Sequence, residues 1–196
     1  VGLICNESKT EFISTSSTDD SLVSFSGTSI NRVEDFIYLG SHIMESYKDF
    51  KARKGMAWAA CNKLDKIWTS DLHKDIKISL FRSVIEPILM YGSETWTLTA
   101  KQQKHLDGTY TNLLRRVQNI HWTQHATIED IYRGLPKISS KLIQRRVQFA
   151  GHCYRAEDEI ISSLLLWTPP GPNHSNRLTY PGVISRDTNI KIEDLP

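Results

Sequence analysis

Val33-Glu34-Asp35-Phe36-Ile37-Tyr38-Leu39-Gly40-Ser41 is where the chain changes character, β-rich and acidic before it, helical and basic after it. Apolar residues recur at every second or third position, Val33, Phe36 and Tyr38, as in a half-buried strand. Gly40 closes the run where a backbone must turn or approach a neighbour closely. By themselves these nine residues read as the edge of a small sheet, a hairpin strand ending in glycine.

Charge is segregated around this stretch. The 196 residues carry a formal net charge of +2. Residues 1–50 hold three Lys/Arg against eight Asp/Glu (net −5), residues 51–155 eighteen against eight (net +10), and residues 156–196 three against six (net −3). Concentrated positive charge is what a phosphate-neutralising surface needs, so the middle segment is the nucleic-acid candidate. A helical domain with solvated Lys/Arg faces has the same composition. Three widely spaced cysteines, Cys5, Cys61 and Cys153, indicate neither a disulfide framework nor a metal knuckle. They fit a reduced intracellular compartment, cytoplasm or nucleus. No apolar run reaches the roughly 18 residues of a membrane span, and no signal-peptide pattern is present, so a soluble protein is expected.

Upstream of the opening stretch, residues 2–13 read as a turn and a short strand, with Thr10, Phe12 and Ile13 suited to a pleated surface. Ser14 to Ser21 is a polar loop. Leu22, Val23 and Phe25, then Gly27, then Ile30 read as two strands around a tight turn.

From Tyr47 to Trp68 the period becomes helical, with Phe50, Ala57, Cys61, Leu64 and Trp68 on one face. Ser70 or Asp71 is expected to cap the next helix, whose apolar stripe reads Ile76, Leu80, Val84, Ile88 and Tyr91, with a kink at Pro87. Thr99-Ala100-Lys101-Gln102 has capping-box form and opens a helix burying Leu106, Tyr110, Leu113 and Val117. Arg115 and Arg116 close that helix, where cations suit the dipole. Thr127 starts a short helix that stops by Gly134-Leu135-Pro136. A last helix, about Ser139 to Arg155, shows an apolar face of Ile143, Val147, Ala150 and Tyr154. Beside it runs a polar stripe of Lys141, Arg145, Gln148, His152 and Arg155. The proline-rich segment Trp167 to Asn173 breaks regular structure, and the tail after it reads as a linker. His121 and His125, four apart, and the adjacent His152-Cys153 lack a third ligand at metal-site spacing, so no metal site is expected.

Several of these segments carry a family resemblance. Phe36-Ile37-Tyr38-Leu39-Gly40-Ser41 resembles the Phe-Lys-Tyr-Leu-Gly-Ser segment of reverse transcriptases from LINE-type (non-LTR) retrotransposons. Gly2 to Phe12 resembles that family's Gly-Leu-x-x-Asn-x-x-Lys-Thr segment. Pro87 to Trp96, then Leu113-Leu114-Arg115-Arg116, then Arg145 to His152 follow in the family's order, over roughly residues 2 to 155.

The resemblance implies a primer-grip hairpin at Phe36, Tyr38, Leu39 and Gly40, and a proton donor at Lys9. It also implies contacts of Arg115, Arg116, Lys141, Arg145, His152 and Arg155 to a nucleic-acid backbone. It implies Mg²⁺ for the parent polymerase, held by palm aspartates that precede the Gly-Leu segment in the family. Asp19-Asp20 follows that segment here and reads as a solvated loop. With the chain starting at Val1 and the resemblance beginning at residue 2, a fragment of a larger polyprotein is expected.

The resulting expectation is an α+β, mostly α architecture. A small antiparallel hairpin layer ending a palm spans 1–45, a helical thumb 46–155, and an irregular connector 156–196. The fragment should position an RNA–DNA hybrid of template and primer, together with the palm and fingers of the same polyprotein, without cofactor or polymerase activity of its own. A stand-alone nucleic-acid-binding module and an inert remnant of a decayed element are the alternatives.

Overall fold

The computed structural model describes residues 6, 9–14, 22–23, 27, 29–42, 45–156, 159–167 and 179–190. The Gly-Leu segment from Gly2 to Ser8 apart from Asn6, the Asp19-Asp20 loop and most of the proline-rich stretch lie outside the described residues. The chain divides into two compact units, Val1–Glu45 and Ser46–Pro196. Strands sit in the first and helices in the second, so the class is α+β and mostly α.

In the first unit, β1 (Glu11–Phe12), β2 (Leu22–Val23) and β3 (Ser29–Arg32) form a sheet in the order β1-β3-β2. β2 and β3 are the expected antiparallel pair, Leu22 opposite Ile30, and Gly27 between them takes a left-handed φ of 84°. β1 pairs with β3 in parallel, Phe12 opposite Arg32, beside the expected antiparallel pair. β2 occupies the other edge of β3, so β1 takes the remaining edge.

The opening stretch is two strands rather than one. β4 (Ile37–Tyr38) and β5 (Ser41–His42) pair antiparallel across the two-residue turn Leu39-Gly40. Both turn residues have positive φ, 48° and 83°, the type I′ pattern whose twist matches a hairpin. Gly40 accepts this conformation freely and Leu39 does so at a cost. Gly40→Val puts a β-branched side chain in that region and should destabilise the hairpin by about 1–3 kcal/mol. Amide exchange at Tyr38 and Ser41 measures this, and unchanged protection would contradict it.

The second unit begins with α1 (Ser46–Lys63), broken at Leu64 from the single turn α2 (Asp65–Trp68). Phe50, Ala57, Cys61 and Trp68 are fully buried, as their spacing predicts. The Trp68 indole N–H donates to the Cys61 carbonyl at 2.8 Å. Lys77 is buried because its ammonium donates to the carbonyls of Trp68 (2.7 Å) and Ser70 (2.6 Å), a cation satisfying a helix C-terminus.

α3 (Lys74–Leu89) is capped by the His73 side chain, which accepts from the Asp75 amide. Ser70, expected as the cap, instead donates back to the Ile67 carbonyl. The buried face of α3 is Ile78, Phe81, Ile85 and Leu89, and the expected stripe lies largely outward, with Ile76 55% and Tyr91 48% exposed. Apolar residues cover more than half the circumference of this helix, so spacing alone does not select the packed side. The helix continues through Pro87 to Leu89.

Gly92, with φ 68°, ends the turn after α3, and a 3-10 turn (Ser93–Thr95) leads to buried Trp96. The Trp96 indole donates to Asp49 Oδ2 at 2.9 Å, which is how Asp49 is buried at the start of α1. α4 (Ala100–Val117) carries the predicted capping box. Thr99 Oγ1 accepts from the Gln102 amide at 3.3 Å, and Gln102 Oε1 accepts from the Thr99 amide at 2.8 Å. Leu106, Tyr110, Leu113 and Val117 are fully buried along it. α5 (Ile128–Tyr132) starts at a second capping box on Thr127 and Asp130 and ends at left-handed Arg133 and Gly134.

α6 (Ile138–Tyr154) buries Ile138, Leu142, Arg146 and Cys153. The expected apolar face is turned partly outward, Val147 and Tyr154 being exposed, because a fully buried arginine takes the central place on the packed side. The segment expected to be an irregular connector holds two further helices, α7 (Glu159–Leu166) and α8 (Tyr180–Thr188). Pro181 sits in the first turn of α8, where a missing N–H leaves no helical bond unmade, and the Thr179 hydroxyl accepts from the Gly182 amide.

α8 is fastened to α6 by its side chains. Asp187 Oδ2 lies 3.0 Å from Arg146 Nη2, both side chains essentially inaccessible to solvent. Arg146 Nη1 donates to the Trp96 carbonyl at 2.8 Å, and the Tyr180 hydroxyl donates to the Glu94 carbonyl at 3.0 Å. Arg186 Nη1 donates to the Leu98 carbonyl at 3.0 Å.

Candidate nucleic-acid interface

The hairpin presents its apolar residues to solvent. Ile37 is 57%, Tyr38 59% and Leu39 75% exposed at the turn, while Phe36 is half-buried. Below the tip, His42 Nδ1 and Asp35 Oδ2 are 2.6 Å apart and tie the two arms together. Three adjacent exposed apolar side chains on so small a sheet lower no folding free energy by their own burial. Lys9, the proton-donor candidate, is exposed in a one-turn bend closed by its amide on the Asn6 carbonyl at 3.1 Å.

The basic residues proposed on α6 do not form one open stripe. Lys141 is half-buried, and its ammonium donates to both carboxylate oxygens of Glu86, at 2.6 and 2.7 Å. Glu86 also accepts from the Tyr110 hydroxyl at 2.8 Å. Burial first, then the Glu86 charge and this hydrogen bond, raise the Tyr110 phenol well above its ordinary range. Arg145 Nη1 donates to the Met90 carbonyl at 2.8 Å. Lys141 is thus committed within the fold and Arg145 is exposed with one N–H bonded to a carbonyl, while His152 and Arg155 stand exposed at the C-terminal end of α6. On α4, Arg115 Nη2 donates to the Ala126 carbonyl and Arg116 pairs with Asp65. The second pair is nearly half exposed on both sides and contributes little to stability.

A different cationic group is assembled between α1 and α4. The Tyr47 hydroxyl lies 2.8 Å from His105 Nδ1, and Lys54 Nζ lies 3.0 Å from His105 Nε2. Lys51 Nζ sits 4.6 Å over the Tyr47 ring, and the His105 ring meets Phe50 edge-on at 5.2 Å. Desolvation, then the charges of Lys54 and Lys51, lower the His105 pKa, so the ring is neutral near pH 7. Lys101 and Lys104 are exposed on the neighbouring turn of α4. Among the described residues, no carboxylate pairs with Lys51, Lys54, Lys101 or Lys104. Sequence reasoning treats these lysines as ordinary solvated positions. Only the i, i+4, i+7 spacing of Tyr47, Lys51 and Lys54 hints that they share a face.

Among the described residues, no three His, Cys, Asp or Glu side chains converge to hold a metal ion. His121 Nδ1 and the Thr123 hydroxyl are hydrogen-bonded at 2.9 Å. No helix of the described residues is long and apolar enough to cross a membrane.

No protein-family model and no solved structure matches the chain. It is 31% identical over 184 residues to a transposon-derived protein of Caenorhabditis elegans, a match covering 86% of this chain and 66% of that protein's length. Sequence similarity over most of the chain thus relates it to a protein of transposon origin.

Proposed function

We propose that the chain is the palm end and thumb of the reverse transcriptase of a non-LTR retrotransposon, holding the RNA template and DNA primer while the carboxylates that bind Mg²⁺ lie elsewhere in the polyprotein. The observation that carries this reading is the hairpin. Its left-handed Leu39-Gly40 turn pushes Ile37, Tyr38 and Leu39 into solvent, next in sequence to a helical unit. Exposed aromatic and apolar groups suit a surface that meets sugar and base edges, and the concentrated lysines and arginines of the helical unit suit one that meets phosphates. Transposon origin of the similar protein supports the same reading. A thumb acts by positioning, so backbone contacts matter here more than base-reading groups.

The test is binding of the whole chain to a short RNA–DNA hybrid, followed by fluorescence anisotropy over a range of salt concentrations. Log K should fall linearly with log salt, by about 0.9 for each phosphate neutralised on a duplex, and change little with base sequence. Binding that is absent or indifferent to salt would refute the proposal.

A further inference from the structure

We infer that the α1–α4 face built from Tyr47, Lys51, Lys54 and His105 is a phosphate-binding site that grips the nucleic-acid backbone. The inference rests on the proposed function and names the place where the duplex is held. Its argument is the direction of the hydrogen bonds. A lysine ammonium only donates, so Lys54 Nζ must donate to His105 Nε2. The ring proton then sits on Nδ1 and donates to the Tyr47 oxygen. With its oxygen already accepting, Tyr47 keeps its own O–H for a partner outside the protein.

Lys54 likewise has two N–H groups left over, and Lys51 has three, one face of its ammonium lying against the Tyr47 ring. The result is a set of outward donors with no acid to satisfy them among the described residues. Oxygens that only accept and carry negative charge complement such a set, and phosphate supplies them. Tyr47 to Lys54 spans about 10 Å of helix, comparable to three nucleotides of one strand. Lys101, one turn before His105 on α4, extends the same face. The cations of α6, by contrast, are partly consumed by Glu86 and the Met90 carbonyl.

His105 adds a second signature. The groups facing it are Tyr47, Phe50, Lys51 and Lys54 on α1, with Lys101 and Lys104 on its own helix, and none of them carries a negative charge that would favour its charged form. A phosphate at this face supplies negative charge and raises the imidazole pKa in the complex. Binding then takes up a proton at Nε2 as the Lys54 ammonium turns from the ring to the phosphate, and affinity grows as pH falls.

The experiment measures hybrid binding by the whole chain as wild type, K51Q/K54Q, H105Q and the control K63Q/K66Q, which removes the same charge from exposed positions farther along the chain. K51Q/K54Q should lower the salt slope by about two units, at 0.9 per contact, and the control should leave it nearly unchanged. H105Q should abolish the gain in affinity at low pH while retaining most of the salt slope. Equal slopes in K51Q/K54Q and wild type, or equal losses in the two lysine pairs, overturn the site while leaving the proposed function standing. Absence of any hybrid binding by wild type overturns both.

Discussion

Asp187→Ala should destabilise the helical unit by about 3–5 kcal/mol and release α8 from α6. The carboxylate is 2% exposed and faces an arginine of which no part reaches solvent. Removing it leaves the Arg146 charge in a site whose burial already lowers the guanidinium pKa against the opposing pull of Asp187. The two groups are 3.0 Å apart yet are not aligned as a hydrogen bond, since Arg146 Nη2 and Asp187 Oδ2 each lack a directional partner. Their attraction is therefore mostly Coulombic, and its loss is not made good by water, which does not reach the site. Chemical denaturation measures the loss, and amide exchange across 180–188 reports whether α8 is what detaches. The double variant R146M/D187L replaces charge with apolar volume and should recover much of the stability. A loss below about 1 kcal/mol in D187A would show that the pair is solvated in solution.

This ion pair also marks where the sequence stops being legible. Arg146 falls between Arg145 and Val147 in a helix whose neighbouring positions are basic, and nothing local separates the arginine that is buried from the one that is not. Its partner is 41 residues away on a helix that begins Tyr-Pro-Gly, a tripeptide that looks like a breaker. Proline in a first helical turn costs no hydrogen bond, so tertiary packing wins over the local cue. His105 presents the same difficulty, since its partners Tyr47 and Lys54 come from a helix 51 to 58 residues earlier.

Where local chemistry is unambiguous the reading holds. Thr99 and Gln102 specify a helix start by reciprocal hydrogen bonds, and α4 has a single apolar stripe to bury. Gly40 marks a turn because its backbone must enter a region other residues avoid. Leu39 gives no such signal, yet takes the same left-handed region, so the opening stretch reads as one strand and folds as a hairpin.

The two faces of α3 supply the sharpest comparison of pattern with packing. Spacing alone favours Ile76, Leu80 and Val84, whereas the core takes Ile78, Phe81 and Ile85. Phe81 is fully buried, with its ring 5.4 Å from the Tyr110 ring, and Ile76 is 55% exposed. Phe81→Ala removes a whole aromatic side chain and leaves a cavity that helices on both sides are too constrained to fill, so the cost should be about 3–5 kcal/mol. Ile76→Ala removes three carbons already facing water. It replaces a β-branched residue by the best helix former, so its effect should stay within about 0.5 kcal/mol of zero. Both variants are read by the same denaturation experiment at constant pH. Comparable losses at the two positions would mean that α3 is packed on the Ile76 side as well, against a partner that covers its outer face in solution.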